Sequence, residues 1–197
     1  MSEFWIFFEK GLRHILDIFA YDHILFLIAL SVPYTFKDWK KLLLLITFFT
    51  VGHTLALLLS VFGVIIVKGN LVAFLIPISI LILALFNLFT AGKSSKQSGI
   101  SVIGFITFSF GIIHGLGFAT YFKPLAGSSS QSKLLPLTEF SLGIESSQII
   151  VVFIVLILSY IVQTFFRFSK RDWILVMSSF VIGVVFPMIL SSEIWNR

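Results

Sequence analysis

The sequence contains no cysteine and has few charged residues. Without a thiol, disulfides, iron–sulfur clusters and thiolate metal sites are excluded. Asp, Glu, Lys and Arg make up only 12% of the 197 residues, whereas soluble domains carry about 25%. Hydrophobic residues make up 58% of the chain, which leaves too little polar surface to coat a globule in water. These figures exclude an ordinary soluble enzyme, a disordered tail and a nucleic-acid-binding module, and they indicate an integral membrane protein.

Two further absences concern metal chemistry and energy supply. The three methionines (Met1, Met177 and Met188) are not grouped with the histidines, which disfavours a Cu(I) path. No phosphate-binding loop of the GxxxxGK[ST] kind is present, so transport would not be driven by an ATPase of this chain. The net charge of +5 implies no acidic partner, because Lys and Arg lie mainly at helix ends, where they anchor to lipid headgroups.

Six apolar runs are each long enough to cross a bilayer as a helix, which takes roughly 20 residues. They cover residues 14–34, 41–67, 71–91, 99–122, 137–165 and 173–194. Their length excludes buried strands. We therefore expect an all-α integral membrane protein, a bundle of six transmembrane helices that forms a single polytopic domain over residues 1–197.

The N-terminal segment and the loop charges suggest a topology. Residues 1–13 are aromatic and mildly amphipathic, and they lack the basic start of a signal peptide, since Glu3 stands there. We expect this segment to be interfacial and to stay on the protein. The loops after the odd-numbered spans hold eight Lys and Arg, and the other side holds six. The positive-inside rule then places both termini outside the cytoplasm, by a narrow margin.

Polar residues within the predicted spans are the informative ones, because a charge near a helix centre costs about 2.5–3.5 kcal/mol on insertion scales. All four histidines fall in or at the edge of a span. We expect the following residues to be metal ligands: His14, Asp22, His23, His53, His114 and Glu145. Imidazole and carboxylate without thiolate suit a divalent transition metal such as nickel, cobalt or zinc, as substrate or bound ion.

The first span holds two histidines that one regular helix cannot bring together. His14 and His23 are separated by about 13.5 Å of rise and 900° of turn at helical geometry, so they lie on opposite faces. Either the helix is broken, or the two serve successive sites along a path. Asp22 is placed to bridge the two zones, whereas Asp17 is equally well explained as a supporting group or as a solvated residue at the mouth of the span.

Spans two and four combine a histidine with small residues. Thr50 shares a face with His53 and either orients its ring or links two helices. Around His114 the side-chain-free positions are Gly111, Gly115 and Gly117, which allow close approach of a helix or an ion. We interpret the glycines chiefly as packing residues.

The fifth span carries one polar stripe in an otherwise apolar helix. Ser141, Glu145 and Gln148 are spaced i, i+4, i+7, which places them on one face. A carboxylate at this depth requires a histidine, a metal ion or a proton as partner. Gln148 is expected to hydrogen-bond Glu145 or to line the same path.

A short internal similarity links spans two and four. Phe49–Gly52 precedes His53, and Phe108–Gly111 precedes His114. Many transporters are built from repeated halves. Four matched positions in Phe-rich helices are too few to establish a repeat.

Taken together, these motifs resemble the HupE/UreJ family of bacterial membrane proteins. The resemblance rests on four segments: His14…Asp22-His23-Ile-Leu-Phe-Leu, Phe49-Thr-Val-Gly-His-Thr-Leu55, His114-Gly-Leu-Gly-Phe118 and Gly143-Ile-Glu145…Gln148. It implies a nickel or cobalt permease of the bacterial inner membrane whose histidine and acidic positions handle the ion. The chain departs from the family pattern at Ile15, where many members have Pro after the first His.

Three functions remain open from the residues. The first is a secondary transporter of a divalent transition metal. The second is a membrane-embedded zinc-dependent hydrolase that uses the same cluster, with Glu145 or an Asp as general base. The third is a structural subunit whose polar residues join helices. We favour the transporter, and therefore a protein that is not an enzyme. Its expected partners are the lipid bilayer and the metal ion, with no nucleic acid, and a homo-oligomer stays open.

Overall fold

The structure is a computed structural model, and it describes residues 3–17, 21–92, 100–125 and 134–195. Within these ranges the chain forms α-helices and two short 3-10 helices, and no strand. The α-helices are α1 (Glu3–Leu16), α2 (Asp22–Ser31), α3 (Trp39–Val61), α4 (Gly69–Thr90), α5 (Ile100–Leu125), α6 (Leu134–Phe165) and α7 (Lys170–Leu190). The 3-10 helices are Phe36–Asp38 and Glu193–Trp195. The expected all-α fold is confirmed.

Four helical stretches are long and apolar enough to cross a membrane. They are Phe36–Val61, Gly69–Thr90, Leu134–Phe165 and Lys170–Trp195. They correspond to the second, third, fifth and sixth predicted spans. Within the described residues, the first predicted span contains the shorter apolar helix Asp22–Ser31 (α2). The fourth contains the shorter apolar stretch Ile103–Ala119, which is part of α5. The count of six transmembrane helices is therefore not confirmed.

The outer surface of the helices is apolar. Phe89 and Phe105 are each 72% exposed, and Phe165 is 75% exposed. Large aromatic side chains at this level of exposure are costly in water, where burying one contributes about 1.5–3 kcal/mol, but they match hydrocarbon. The long apolar helices and this surface together make the chain a helical membrane protein.

The first predicted span is divided between two helices. α1 ends at Leu16 and α2 begins at Asp22, so the broken-helix alternative describes the region between His14 and His23. Residues 18–20 lie outside the described residues. Residues 3–13 of the N-terminal segment, which we expected to be interfacial, form most of α1, and α1 packs against α6. The depth of this segment in the bilayer stays a prediction.

Helices α3 and α5 cross at glycines. A Cβ atom at Gly52 would overlap the carbonyl oxygen of Phe108, and a Cβ atom at Gly111 would overlap that of Phe49. Only glycine allows the two backbones to come this close. The crossing places the backbone of His53, the residue after Gly52, against Gly111 and Gly115 of α5.

Helices α1 and α6 cross in the same manner. A Cβ atom at Gly11 would overlap the carbonyl oxygen of Phe140, and one at Gly143 would overlap that of Phe8. In both crossings each glycine follows a phenylalanine by three residues, so the Phe-x-x-Gly similarity seen in spans two and four recurs in α1 and α6. The structure gives this spacing a physical role, which is close helix packing.

Helix α2 is short and largely buried. Phe26, Leu27 and Ala29 are at most 1% exposed. Asn87 of α4 donates a hydrogen bond from Nδ2 to the backbone oxygen of Ala29 at 2.7 Å, which ties α4 to α2. Asn87, a polar residue within the third predicted span, therefore links α4 to α2, the helix that carries His23.

Candidate metal site

The four histidines come together from four helices. His14 lies near the end of α1, His23 near the start of α2, His53 in α3 and His114 in α5. The ring centroid of His23 lies 4.6 Å from that of His14, 6.2 Å from His53 and 5.1 Å from His114. The helix break and the α3–α5 crossing together produce this cluster, which we call the imidazole cluster.

Three of these histidines are close enough together to hold a metal ion. One ring nitrogen from each of His14, His23 and His53 lies within 4.8 Å of the other two. A tetrahedral ion bound at about 2.0–2.1 Å brings its nitrogen ligands to roughly 3.3 Å from one another, so small rotations of the rings close the site. His23 and His53 are 4% and 0% exposed, which keeps the site largely dry. The fourth histidine, His114, borders this group at His23.

Most imidazole nitrogens of the cluster have no hydrogen-bond partner. Eight buried side-chain nitrogen or oxygen atoms are without a partner in the described part of the chain, and five of them belong to histidines. They are Nε2 of His14, both ring nitrogens of His53, and Nε2 of His23 and His114. Leaving a buried polar atom unpaired costs about 1–3 kcal/mol. A cation held by one nitrogen of each ring removes most of that cost, so the cluster fits a metal-ion site.

Two of the rings are oriented by hydrogen bonds at their other nitrogen. Nδ1 of His23 lies 2.9 Å from Oδ1 of Asp22, and Nδ1 of His114 lies 2.8 Å from the backbone oxygen of Phe110. Donation from Nδ1 leaves the Nε2 lone pair free, which is the arrangement that second-shell groups give to metal-binding histidines. Asp22 was expected to be a direct ligand; here it contacts His23.

Aromatic rings enclose the cluster. Phe118 and Phe140 stack at 5.0 Å with planes 5° apart, and the ring of Phe118 lies 3.9 Å from that of His14. On the other side Phe49 lies 5.2 Å from His114. The sequence argument, which was based on the energetic cost of polar residues in lipid, did not identify these aromatic side chains. The spacing of Phe49 and Phe140 before glycines was the available signal.

The predicted residues of α6 lie apart from the three-histidine group. Oε1 of Glu145 accepts a hydrogen bond from the hydroxyl of Thr47 at 2.7 Å. Oε1 of Gln148 accepts one from Thr50 at 3.0 Å. Both partners are in α3, and Thr47 was not anticipated. The structure therefore joins Glu145 and Gln148 to α3 rather than to a histidine.

The remaining predicted residues play packing or peripheral roles. Gly111 and Gly115 lie against the α3 backbone, and a Cβ at Gly117 would come within 3.0 Å of Ile76. Asp17 directly follows α1 and is exposed. Glu139, which lies at the edge of the fifth predicted span, is buried at 6% exposure. Its burial was not predicted, because it lies near the start of the span, before the polar stripe from Ser141 to Gln148.

The fold and the site define a helical membrane protein with a buried cluster of histidines suited to a divalent metal ion. A family model described as HupE / UreJ protein matches residues 1–192. The chain belongs to the HupE/UreJ family, which confirms the resemblance seen in its motifs. No curated protein and no solved structure matches the chain.

Proposed function

We propose that this protein is a secondary transporter of a divalent transition-metal ion, nickel or cobalt, across the bacterial inner membrane. The observation that carries the proposal is the convergence of His14, His23 and His53, whose ring nitrogens lie within 4.8 Å of one another in an apolar helical protein. Membership in the HupE/UreJ family supports the same function.

The chemistry of the donor set suits such an ion. Neutral imidazoles bind borderline first-row metals, and the hydrogen bond from His23 to Asp22 fixes the orientation of the ring. Asp22, His114 and Glu145 complete the proposed set of ion-handling residues, with Asp17 at the entrance. We also propose that the chain crosses the bilayer six times, with both termini outside the cytoplasm.

The membrane potential is a sufficient driving force. Moving one elementary charge across 100 mV is worth about 2.3 kcal/mol, so a dication gains about 4.6 kcal/mol. That free energy sustains a concentration ratio of roughly 10³, since about 1.4 kcal/mol corresponds to tenfold. Uptake of the ion therefore requires no nucleotide hydrolysis by this chain.

The transporter accounts for the carboxylates better than a hydrolase does. In the hydrolase alternative, Glu145 or an Asp acts as the general base and must face the open position on the metal. Among the described residues, Asp22 is engaged with His23 and Glu145 with Thr47. We therefore propose that Asp22 orients the metal site and that Glu145 acts farther along the ion's path.

Proteoliposomes containing the purified protein test the proposal. With an inside-negative potential, we expect Ni²⁺ or Co²⁺ to accumulate, and we expect dissipation of the potential to slow the uptake. A His14→Ala/His23→Ala/His53→Ala variant that inserts normally should be inactive. Uptake no greater than in empty vesicles, at confirmed orientation and potential, would contradict the proposal.

A further inference from the structure

The interface between α3 and α6 contains a row of polar side chains. Three side-chain to side-chain hydrogen bonds join these helices: Thr47–Glu145, Thr50–Gln148 and Thr54–Ser141. Four other hydrogen bonds between two side chains in the described ranges connect residues at most four positions apart in sequence. We call this row of side chains the α3–α6 seam.

The Thr54–Ser141 pair of the seam is saturated. The Ser141 hydroxyl donates to the backbone oxygen of Leu137 at 2.7 Å, so Thr54 supplies the proton of the 2.7 Å bond between the two hydroxyls. Both protons are used, and this pair accounts for itself as a link between helices.

The Thr50–Gln148 pair is different, because half of the amide has no partner. Gln148 is 0% exposed; its oxygen accepts from Thr50, while Nε2 has no hydrogen bond. A rotation of the amide by 180° keeps the link to Thr50, since a hydroxyl accepts as well as donates. The Thr50 proton then bonds a backbone oxygen one turn earlier, as Ser and Thr do in helices. The rotation frees the Gln148 oxygen to bind a cation.

The position of Gln148 connects the two polar regions of the molecule. Its partner Thr50 lies three residues before His53 in α3, and residues at this spacing are neighbours on a helix, about 5–6 Å apart at Cβ. On α6, Gln148 lies three residues after Glu145, on the same face. Glu145 is half-buried, and its partner Thr47 is exposed, so the seam runs from the buried imidazole cluster to the surface.

We propose that Gln148 and Glu145 form a second, oxygen-donor binding station for the transported divalent cation, separate from the imidazole cluster. The ion leaves His53, is bound by the rotated Gln148 amide oxygen, and passes to the Glu145 carboxylate. Weak oxygen ligands after strong nitrogen ligands allow the ion to leave, because conduction requires binding sites that also release. This inference rests on the proposed transport function.

Co²⁺ is the probe for the test, since nitrogen-rich four-coordinate and oxygen-rich six-coordinate sites differ in visible absorption. We expect the purified full chain to bind one Co²⁺ tightly and a second weakly. Gln148→Leu should lose the weak site, keep the tight-site affinity within threefold and lower Co²⁺ uptake at least tenfold. Gln163→Leu is the matched control, because Gln163 lies on the same helix and bonds Ser159 locally at 2.6 Å.

A second variant keeps the test decisive if Gln148→Leu does not fold. Gln148→Glu preserves the size of the side chain and its oxygen and adds a charge beside Glu145, so we expect the weak site to tighten at least tenfold and ion release to slow. A structural role for Gln148 predicts no tighter site.

The outcomes separate this inference from the proposed function. If Gln148→Leu transports Co²⁺ like the wild type, or if it also loses the tight site, the separate station is wrong while transport stands. If the wild type binds Co²⁺ but moves none, transport is wrong, and the station is judged by whether the weak site depends on Gln148 and Glu145.

Discussion

His14 and His23 face each other across a break between two helices, with ring centroids 4.6 Å apart. In a continuous helix their nine-residue separation would place them on opposite faces, about 13.5 Å apart along the axis. Their proximity therefore depends on how α1 and α2 pack against the other helices. A ligand pair assembled in this way is sensitive both to changes in the residues that contact the metal and to changes in the residues that pack the helices.

Loss of one imidazole should remove tight metal binding. We expect His23→Ala and His53→Ala to weaken Co²⁺ affinity by more than about 100-fold, because two nitrogens do not complete the site. Isothermal titration of purified protein measures the change. Ser178→Ala is the control. Ser178 lies on α7, its buried hydroxyl has no hydrogen-bond partner among the described residues, and its loss should leave the Co²⁺ affinity unchanged. Wild-type affinity in both histidine variants would contradict the site.

The Asp22 carboxylate should affect metal binding through His23. Asp22→Asn weakens the acceptor of the Nδ1 hydrogen bond, and groups of this kind change metal affinity about 10–100-fold. Chelator competition with Co²⁺ measures the effect. Asp172→Asn is the matched control, because Asp172 bonds Ser169 at the start of α7. An equal loss in both variants would indicate a general effect of removing a carboxylate rather than an effect on the site.

A side chain at Gly111 should lower the stability of the protein, because Gly111 lies at the α3–α5 crossing. Gly111→Ala places a methyl group against the Phe49 carbonyl, and such overpacking costs about 1–3 kcal/mol. For a protein of this size that lowers the melting temperature by roughly 2–12 °C. Gly183→Ala, where nothing lies within 4 Å of the added Cβ, should be neutral or slightly stabilising. Thermal unfolding followed by size-exclusion fluorescence compares the two.

Acid should inhibit uptake. Metal binds the unprotonated imidazole, so protons compete with the ion for His14, His23 and His53. We expect the apparent KM for Co²⁺ to rise as pH falls, with the potential held constant, while the maximal rate changes less. Initial rates in proteoliposomes at several pH values give both constants. A KM independent of pH would contradict imidazole ligation.

Much of the fold and the inventory of site residues could be predicted from composition and the cost of polar residues in lipid. That cost singled out four histidines, and the structure brings three of them into a metal-binding arrangement. The position of Glu145 was harder to anticipate, because its hydrogen bond to Thr47 joins residues 98 positions apart. The aromatic enclosure was also missed, since one Phe among 24 carries no signal before the helices are assembled.

The two glycine crossings divide the ligands between two tightly joined helix pairs. His53 and His114 belong to the α3–α5 pair, whereas His14 belongs to the α1–α6 pair. A shift of one pair relative to the other would separate His14 from His53 without bending any helix. Occupancy of the site and the relative position of the pairs are then thermodynamically linked: whichever arrangement binds the ion more tightly is the one that the ion populates.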